Sequence, residues 1–169
     1  MDSTAVLVEA FERIQLGVHR VLDGLNPADL AARPGGQANP IGWLVWHLSR
    51  IQDDHVADAF GGEQVWLHGG WSDRFGLPFD DSATGYGQDS AEVAQVRLAS
   101  VDLLTGYYDA VHAHTLEHLG PTNDDDLDRI VDQSWDPPVS LGVRLISVIA
   151  DDLQHIGQAA YVRGLLNLG

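Results

Sequence analysis

Two histidines and a pair of adjacent aspartates, drawn from distant stretches of the chain, are its most chemically loaded residues. His47 lies in WLVWHLSRIQDD on the same helical stripe as Leu44, Leu48 and Ile51, which turns its ring toward an apolar interior. Farther on, IADDLQHIGQ sets Asp151 four residues before His155, on one helix face. Asp152 stands three residues before the same histidine, a second spacing that allows a shared face. A carboxylate inside an apolar bundle is costly unless it is paired or bound to a cation. Two imidazoles and one carboxylate from two helices form the ligand set of a catalytic zinc or non-haem iron site, with positions left for water or substrate. An inward histidine is also a common hydrogen-bonded core residue, and an Asp–His pair is a common helix contact. The spacing leaves both readings standing, and both aspartates.

Other clusters are weaker. His112, His114 and His118 gather with Glu117 near the end of a helix, and His114 with His118 repeats the four-residue spacing. No ligand from another helix joins them, so a solvated helix end, where imidazolium suits the dipole, is expected. The Asp124–Asp128 run lacks the glycine and closing glutamate of a calcium loop. His19, His55 and His68 have no evident partner. Asp53 and Asp54 follow His47, and Asp54, two turns along the same face, is placed behind a ligand or as a general base. No G-x-S-x-G, Walker A or dinucleotide fingerprint occurs.

The elements that must position these groups read as helices. Leu7, Phe11, Ile14, Val18, Val21 and Leu25 alternate spacings of four and three, one stripe of a helix that ends at the turn Asn26-Pro27. A Pro/Gly-rich stretch from Ala32 to Asn39 follows. Asn39 then reads as an N-cap and Pro40 as the first position of a second helix, Ile41 to Phe60, stopped by Gly61-Gly62. Residues 61–88 have no sustained period and are rich in glycine and aromatics. Such a connection is uncommon in a compact domain, and the choice lies between a lid and a loop stapled down by Trp66, Trp71, Phe75 and Phe79. Asp89 and Glu92 form a capping box for a third helix, Ser90 to Leu119, that turns Val93, Val96, Leu103, Tyr107 and Ala110 inward before Gly120-Pro121. Past an acidic connection (NDDDLD, then WDPP), Ser140 caps a last helix, Leu141 to Asn167. With no convincing strand pattern and no internal repeat, the expectation is one all-α four-helix-bundle domain over residues 1–169.

Composition bounds the partners. Of 169 residues, 44% are hydrophobic, enough for a domain that buries roughly 70% of its unfolded surface and folds without disulfide or structural metal. There is no cysteine, hence no thiolate ligand and no cysteine nucleophile. No run approaches the ~18 apolar residues of a membrane span, and MDSTAVLVEAFERI shows neither basic region nor cleavage site, so a cytoplasmic protein is expected. All nine basic residues are arginine against 25 acidic ones, a net charge of -16 that repels phosphate backbones and anionic membranes. It also disfavours long-range steering of anionic substrates. A neutral small molecule, or one drawn in locally by a metal and Arg144 or Arg163, is expected. Five tryptophans, several in or beside loops, suggest more apolar surface than one small bundle hides, hence a homodimer.

NPIGWLVWHL and DDLQHIGQAAYVRG resemble the second and fourth helices of the DinB/YfiT-like superfamily of four-helix bundles. The resemblance implies a divalent metal, usually zinc or nickel, held by one histidine of the second helix and an H-x-x-x-H pair on the last, often followed by x-Gly-Gln. His155-Ile156-Gly157-Gln158 matches that ending, which puts Asp151 where the first histidine of the pair stands. The implied ligands are His47, Asp151 and His155. A carboxylate there departs from the three-histidine form and is similar to the His, Glu, His set of the mycothiol-dependent isomerase branch (maleylpyruvate isomerase). By the same resemblance, the implied activity is that of a divalent-metal-dependent transferase, isomerase or hydrolase acting on a small molecule, with mycothiol as cosubstrate. The alternative is a non-catalytic metal-binding or stress-associated bundle.

Overall fold

In the computed structural model, which describes residues 2–168, the first apolar stripe becomes the buried seam of helix α1 (Ser3–Leu22), with Leu7, Phe11, Ile14, Val18 and Val21 inside. The helix stops short of Leu25 because Asn26 starts another one. Its side chain and that of Asp29 form a reciprocal capping box on the short helix α2 (Pro27–Ala31). Helix α3 (Ile41–Phe60) has the expected bounds, but Pro40 is its N-cap and no side chain caps it, so Asn39 does not take that role. Gly61 ends α3 in the left-handed conformation (φ 67°), which a glycine adopts without penalty.

The expected third helix is two. Asp89 and Glu92 do close a capping box, but only on α6 (Ser90–Val93). The chain then leaves the helix and buries both Val96 and Leu98, which stand two residues apart and could not share a helix face. Ser100 recaps it through the Leu103 amide, and α7 runs Val101–Leu119. Helix α4 (Val65–His68) and α5 (Trp71–Phe75) interrupt the connection read as structureless. Two strands, β1 (Ile130–Asp132) and β2 (Val139–Ser140), pair antiparallel around the WDPP turn, a small sheet that the sequence pattern did not announce. Ser140 caps α8 (Leu141–Leu165), which ends before the expected Asn167.

The architecture is all-α: α1 and α3 each pack on α7 and α8, which places them across the diagonal of a four-helix bundle. Phe11, Ile14, Leu44, Trp46, Leu48, Leu104 and Tyr107 fill its centre. Each such burial contributes roughly 1.5–3 kcal/mol. Every residue of α3 from Ile41 to Asp53 is buried, so something must cover the side that the bundle leaves open. That cover is the long connection, and it positions the site. Among the described residues no helix is long and apolar enough to cross a membrane.

Candidate metal centre

His47 comes from the middle of α3, with Trp43 one turn earlier stacked on its ring at 4.7 Å and 15°. Its Nδ1 donates to the Thr84 carbonyl at 2.6 Å, which fixes the tautomer and leaves Nε2 with a bare lone pair. Thr84 reaches that close because Gly85 follows it. Gly85 has φ +91°, and a Cβ there would lie 2.9 Å from His47 Nδ1 and 3.0 Å from the Trp46 ring. Only glycine fits. Trp43 Nε1 donates to Gln88 at 2.8 Å, a second tie from the same loop.

His155 comes from α8 with its Nδ1 likewise committed. Its Nδ1 donates to Gln158 Oε1 at 2.9 Å, and its Nε2 stands 3.6 Å from Asp151 Oδ1. The two imidazoles meet edge to face, centroids 4.7 Å apart. One ligand atom from each of His47, Asp151 and His155 falls within 4.8 Å of the others. Burial, then the nearby His155, lower the proton affinity of His47 against the pull of the Thr84 carbonyl and Asp151. For His155 burial pushes the same way, but the nearby Asp151 carboxylate and the bond to Gln158 outweigh it and raise the pKa. Burial would raise Asp151, yet His155 and the other neighbouring imidazoles hold it below the usual carboxylate range. Asp151 Oδ2 is buried without a hydrogen-bond partner, and two bare imidazole nitrogens share its pocket. This donor set fits a divalent cation.

The connection makes this possible, fastened rather than hinged. Arg50, fully buried one turn below His47, donates to the carbonyls of Ala83 (3.1 Å) and Asp81 (3.2 Å) and to Gln64 Oε1 (2.8 Å). Asp53 accepts from the amides of Val65 (2.8 Å) and Trp66 (2.7 Å) and from the Tyr107 hydroxyl (2.8 Å). Trp66 and Phe75 are buried and Trp71 and Phe79 partly so, as the stapled-loop expectation had it. The staple also carries the Thr84 carbonyl to His47, which nothing in the sequence signals because a backbone carbonyl has no side-chain signature.

Several expectations need correction. Asp152, the other aspartate spaced to share a face with His155, is fully buried and stands outside the cluster. Asp54 accepts from Gln64 at 2.7 Å, toward the connection and not behind a ligand. The α7 histidine end read as solvated is partly buried: His112 is buried and stacks on Tyr108, and His118 stacks on Phe60. The three histidines read as unpartnered have partners: His19 bonds Asp109 at 2.7 Å, His68 packs on His114, and His55 meets Arg144 at 3.1 Å. Arg163 donates to the carbonyls of Val21 and Asp23, closing the end of α1, and is no substrate group. Arg144 does stand in a cleft, of about 450 Å³, that opens beside Asp151. Its guanidinium is already paired with Asp58 and Asp132, each at 3.0 Å.

A four-helix bundle whose second and last long helices bring two histidines and an aspartate together at a cleft defines a DinB-like protein with a metal-type site. The chain matches the mycothiol-S-transferase family over residues 6–167 and belongs to it. It is similar to a conserved protein from Enterococcus faecalis, known from its crystal structure, with a TM-score of 0.92 at 29% identity, covering 100% of this chain and 99% of that one. No curated protein matches it.

Proposed function

We propose that this protein is a metal-dependent transferase that joins the thiol of mycothiol to a small electrophile, with zinc, or nickel in its place, held by His47 Nε2, His155 Nε2 and the Asp151 carboxylate. One observation carries the reading: two imidazoles, each with Nδ1 committed elsewhere, turn bare nitrogens on an aspartate oxygen that has no other partner. Membership in the mycothiol-S-transferase family supports mycothiol as the thiol. A divalent cation there lowers the pKa of a thiol so that it reacts as thiolate at neutral pH.

The chain's own part is positional. Thr84 and Gln158 hold both imidazoles as Nδ1–H tautomers, and Trp43 walls one side of His47. His47 is buried whereas Asp151 and His155 are half-exposed, so a substrate approaches from the cleft side. Sulfur forms its bond to the electrophilic carbon there, the displaced electron pair leaves with the leaving group or moves onto an activating oxygen, and the thiol proton passes to solvent. The absence of cysteine removes any competing protein thiol. A reduced cosubstrate places the reaction in the cytoplasm. A homodimer completes the reading, supported by the exposed Ile146, Leu153 and Tyr161 on α8.

The test is transfer from mycothiol, with glutathione and bacillithiol beside it, by protein loaded with zinc and by the same protein stripped with chelator. The expected result is turnover with mycothiol that stripping abolishes and reloading restores. Turnover indifferent to stripping overturns the mechanism. Stoichiometric metal without turnover across a broad set of electrophiles makes the protein a non-catalytic bundle.

A further inference from the structure

The cleft beside the triad holds another imidazole whose state is set by its neighbours. His55 lies two turns beyond His47 on α3 and lines the cleft with Asp151 and Arg144. Arg144 Nη1 stands 3.1 Å from His55 Nδ1. A guanidinium only donates, so His55 Nδ1 is the acceptor and bears no hydrogen. Arg144 cannot turn away, because the same Nη1 reaches Asp58 Oδ2 and its Nη2 reaches Asp132 Oδ2, each at 3.0 Å. The neutral ring therefore carries its hydrogen on Nε2. That atom is not among the buried polar atoms left unpaired, and no protein group among the described residues accepts from it. Burial, then the charge of Arg144, lowers the ring's proton affinity against Asp54, Asp58 and Asp151, which keeps it neutral.

We propose that His55 donates from Nε2–H to the electrophile in thiol transfer, and that this electrophile is an uncharged, apolar molecule activated by a carbonyl oxygen. The proposal rests on the thiol-transfer reading above and names its substrate class. Ile51, Val139, Val143 and Val148 give the cleft apolar walls, and Trp135 and Tyr86, 67% and 88% exposed, form aromatic lips. Arg144 offers no net charge to a carboxylate substrate, since Asp58 and Asp132 offset it. The volume, about 450 Å³, suits a small molecule.

On an enone the balance is complete without a further reactant. The thiolate sulfur bonds the β-carbon, the π pair moves to the carbonyl oxygen as an enolate, and that oxygen accepts from His55 Nε2–H. A solvent proton then completes the carbon, so His55 neither gains nor loses one. A neutral imidazole with its proton affinity lowered is suited to this role: it donates to a growing oxyanion without being deprotonated. Arg144 acts through His55 and is a positioning residue.

Two measurements separate this inference from the thiol-transfer reading. In ¹⁵N-labelled protein without metal or thiol, the His55 ring, assigned by its loss in His55→Gln, is expected with Nδ1 bare and Nε2 protonated at pH 7. Cyclohexanone, an unreactive ketone, is expected to shift the Nε2 resonance. A ring protonated on Nδ1, or one untouched by saturating cyclohexanone, overturns the proposal whether or not the protein transfers thiols. With zinc-loaded protein and mycothiol, His55→Leu is expected to lose at least about tenfold in kcat on cyclohexenone, below the ~10²–10³ of a fully enclosed donor, and to keep its rate on benzyl chloride, which has no oxygen to accept. His55→Gln, whose amide nitrogen approximates Nε2, restores the cyclohexenone rate, and metal content is equal in all three. Equal loss on both electrophiles, or none on either, overturns the role.

Discussion

Asp151 and Asp152 are neighbours in sequence and opposites in the fold. Asp151 keeps 35% of its side chain exposed, faces His47 and His155, and is held below the usual carboxylate range by the imidazoles despite burial. Asp152 is wholly buried, neither of its oxygens has a partner, and it bears on Tyr108 of α7, whose hydroxyl is also unpaired. Burial, then the charge of Asp151, pushes its pKa well above the 3.8 of a free aspartate. One residue along a helix is a rotation of about 100°. That rotation carries one carboxylate to the candidate cation site and the other into the core, where it is tolerated only as the neutral acid. Identity and spacing alone do not make a ligand; what faces the side chain does.

The sharpest way to break that contrast is to exchange the fates by mutation. Asp151→Ala removes one of three donors and is expected to weaken zinc binding by more than the ~10–100-fold that loss of a supporting hydrogen bond costs. Asp152→Asn, which touches no donor, keeps wild-type affinity. Titration against a competing chelator reads both. The reverse pattern would move the ligand role one residue along and undo the site as described.

The second way uses pH. Asp152 has its folded pKa raised, so the stability it contributes is full below about 3.8 and is lost as pH rises toward the folded value. A neutral amide in its place carries no such loss, and Asp152→Asn is therefore expected to match wild type near pH 4 and to exceed it by about 1–3 kcal/mol at pH 7. Denaturant unfolding at both pH values measures the difference. A cation on the triad would cancel only the smaller of the two causes, so metal-free and loaded proteins should show the same trend. A difference that does not grow with pH would mean that Asp152 is ionised and partnered.

Residue pattern showed much of this and missed what backbone does. The α1 stripe, the bounds of α3 and the Ser140 cap were legible because apolar period and capping chemistry are local. The break between α6 and α7 was not, since the same apolar residues that suit a helix are buried here by an irregular turn. His47 and His155 were legible as inward residues. Asp151 was separated from Asp152 only by a family resemblance, and the geometry agrees. Arg50 and Asp53, buried and paired at 3.6 Å, carry no signal of their burial in the sequence, because what buries them is a connection with no period of its own. The Thr84 carbonyl, the hydrogen-bond partner of His47, was invisible for the same reason.

The smallest expected effect concerns Gln158, the last residue of the motif. Its side chain accepts from His155 Nδ1 at 2.9 Å and so does for His155 what the Thr84 carbonyl does for His47. The two supports differ in kind: Gln158 is an exposed side chain, free to turn, whereas Thr84 offers a backbone oxygen pinned by a fastened loop. Gln158→Ala leaves all three ligands in place and lets the His155 ring take either tautomer, so that part of the population presents a protonated Nε2. The expected cost is about tenfold in zinc affinity, the low end for such a bond, with unfolding stability unchanged. Gln158→Glu keeps an acceptor at the same reach and is expected to hold wild-type affinity or raise it, since a carboxylate makes the imidazole a better donor to the metal. If Gln158→Ala and Gln158→Glu bind zinc alike, the Nδ1 bond does not set the state of His155, and the contrast between a ligand and its buried neighbour reduces to which way each side chain points.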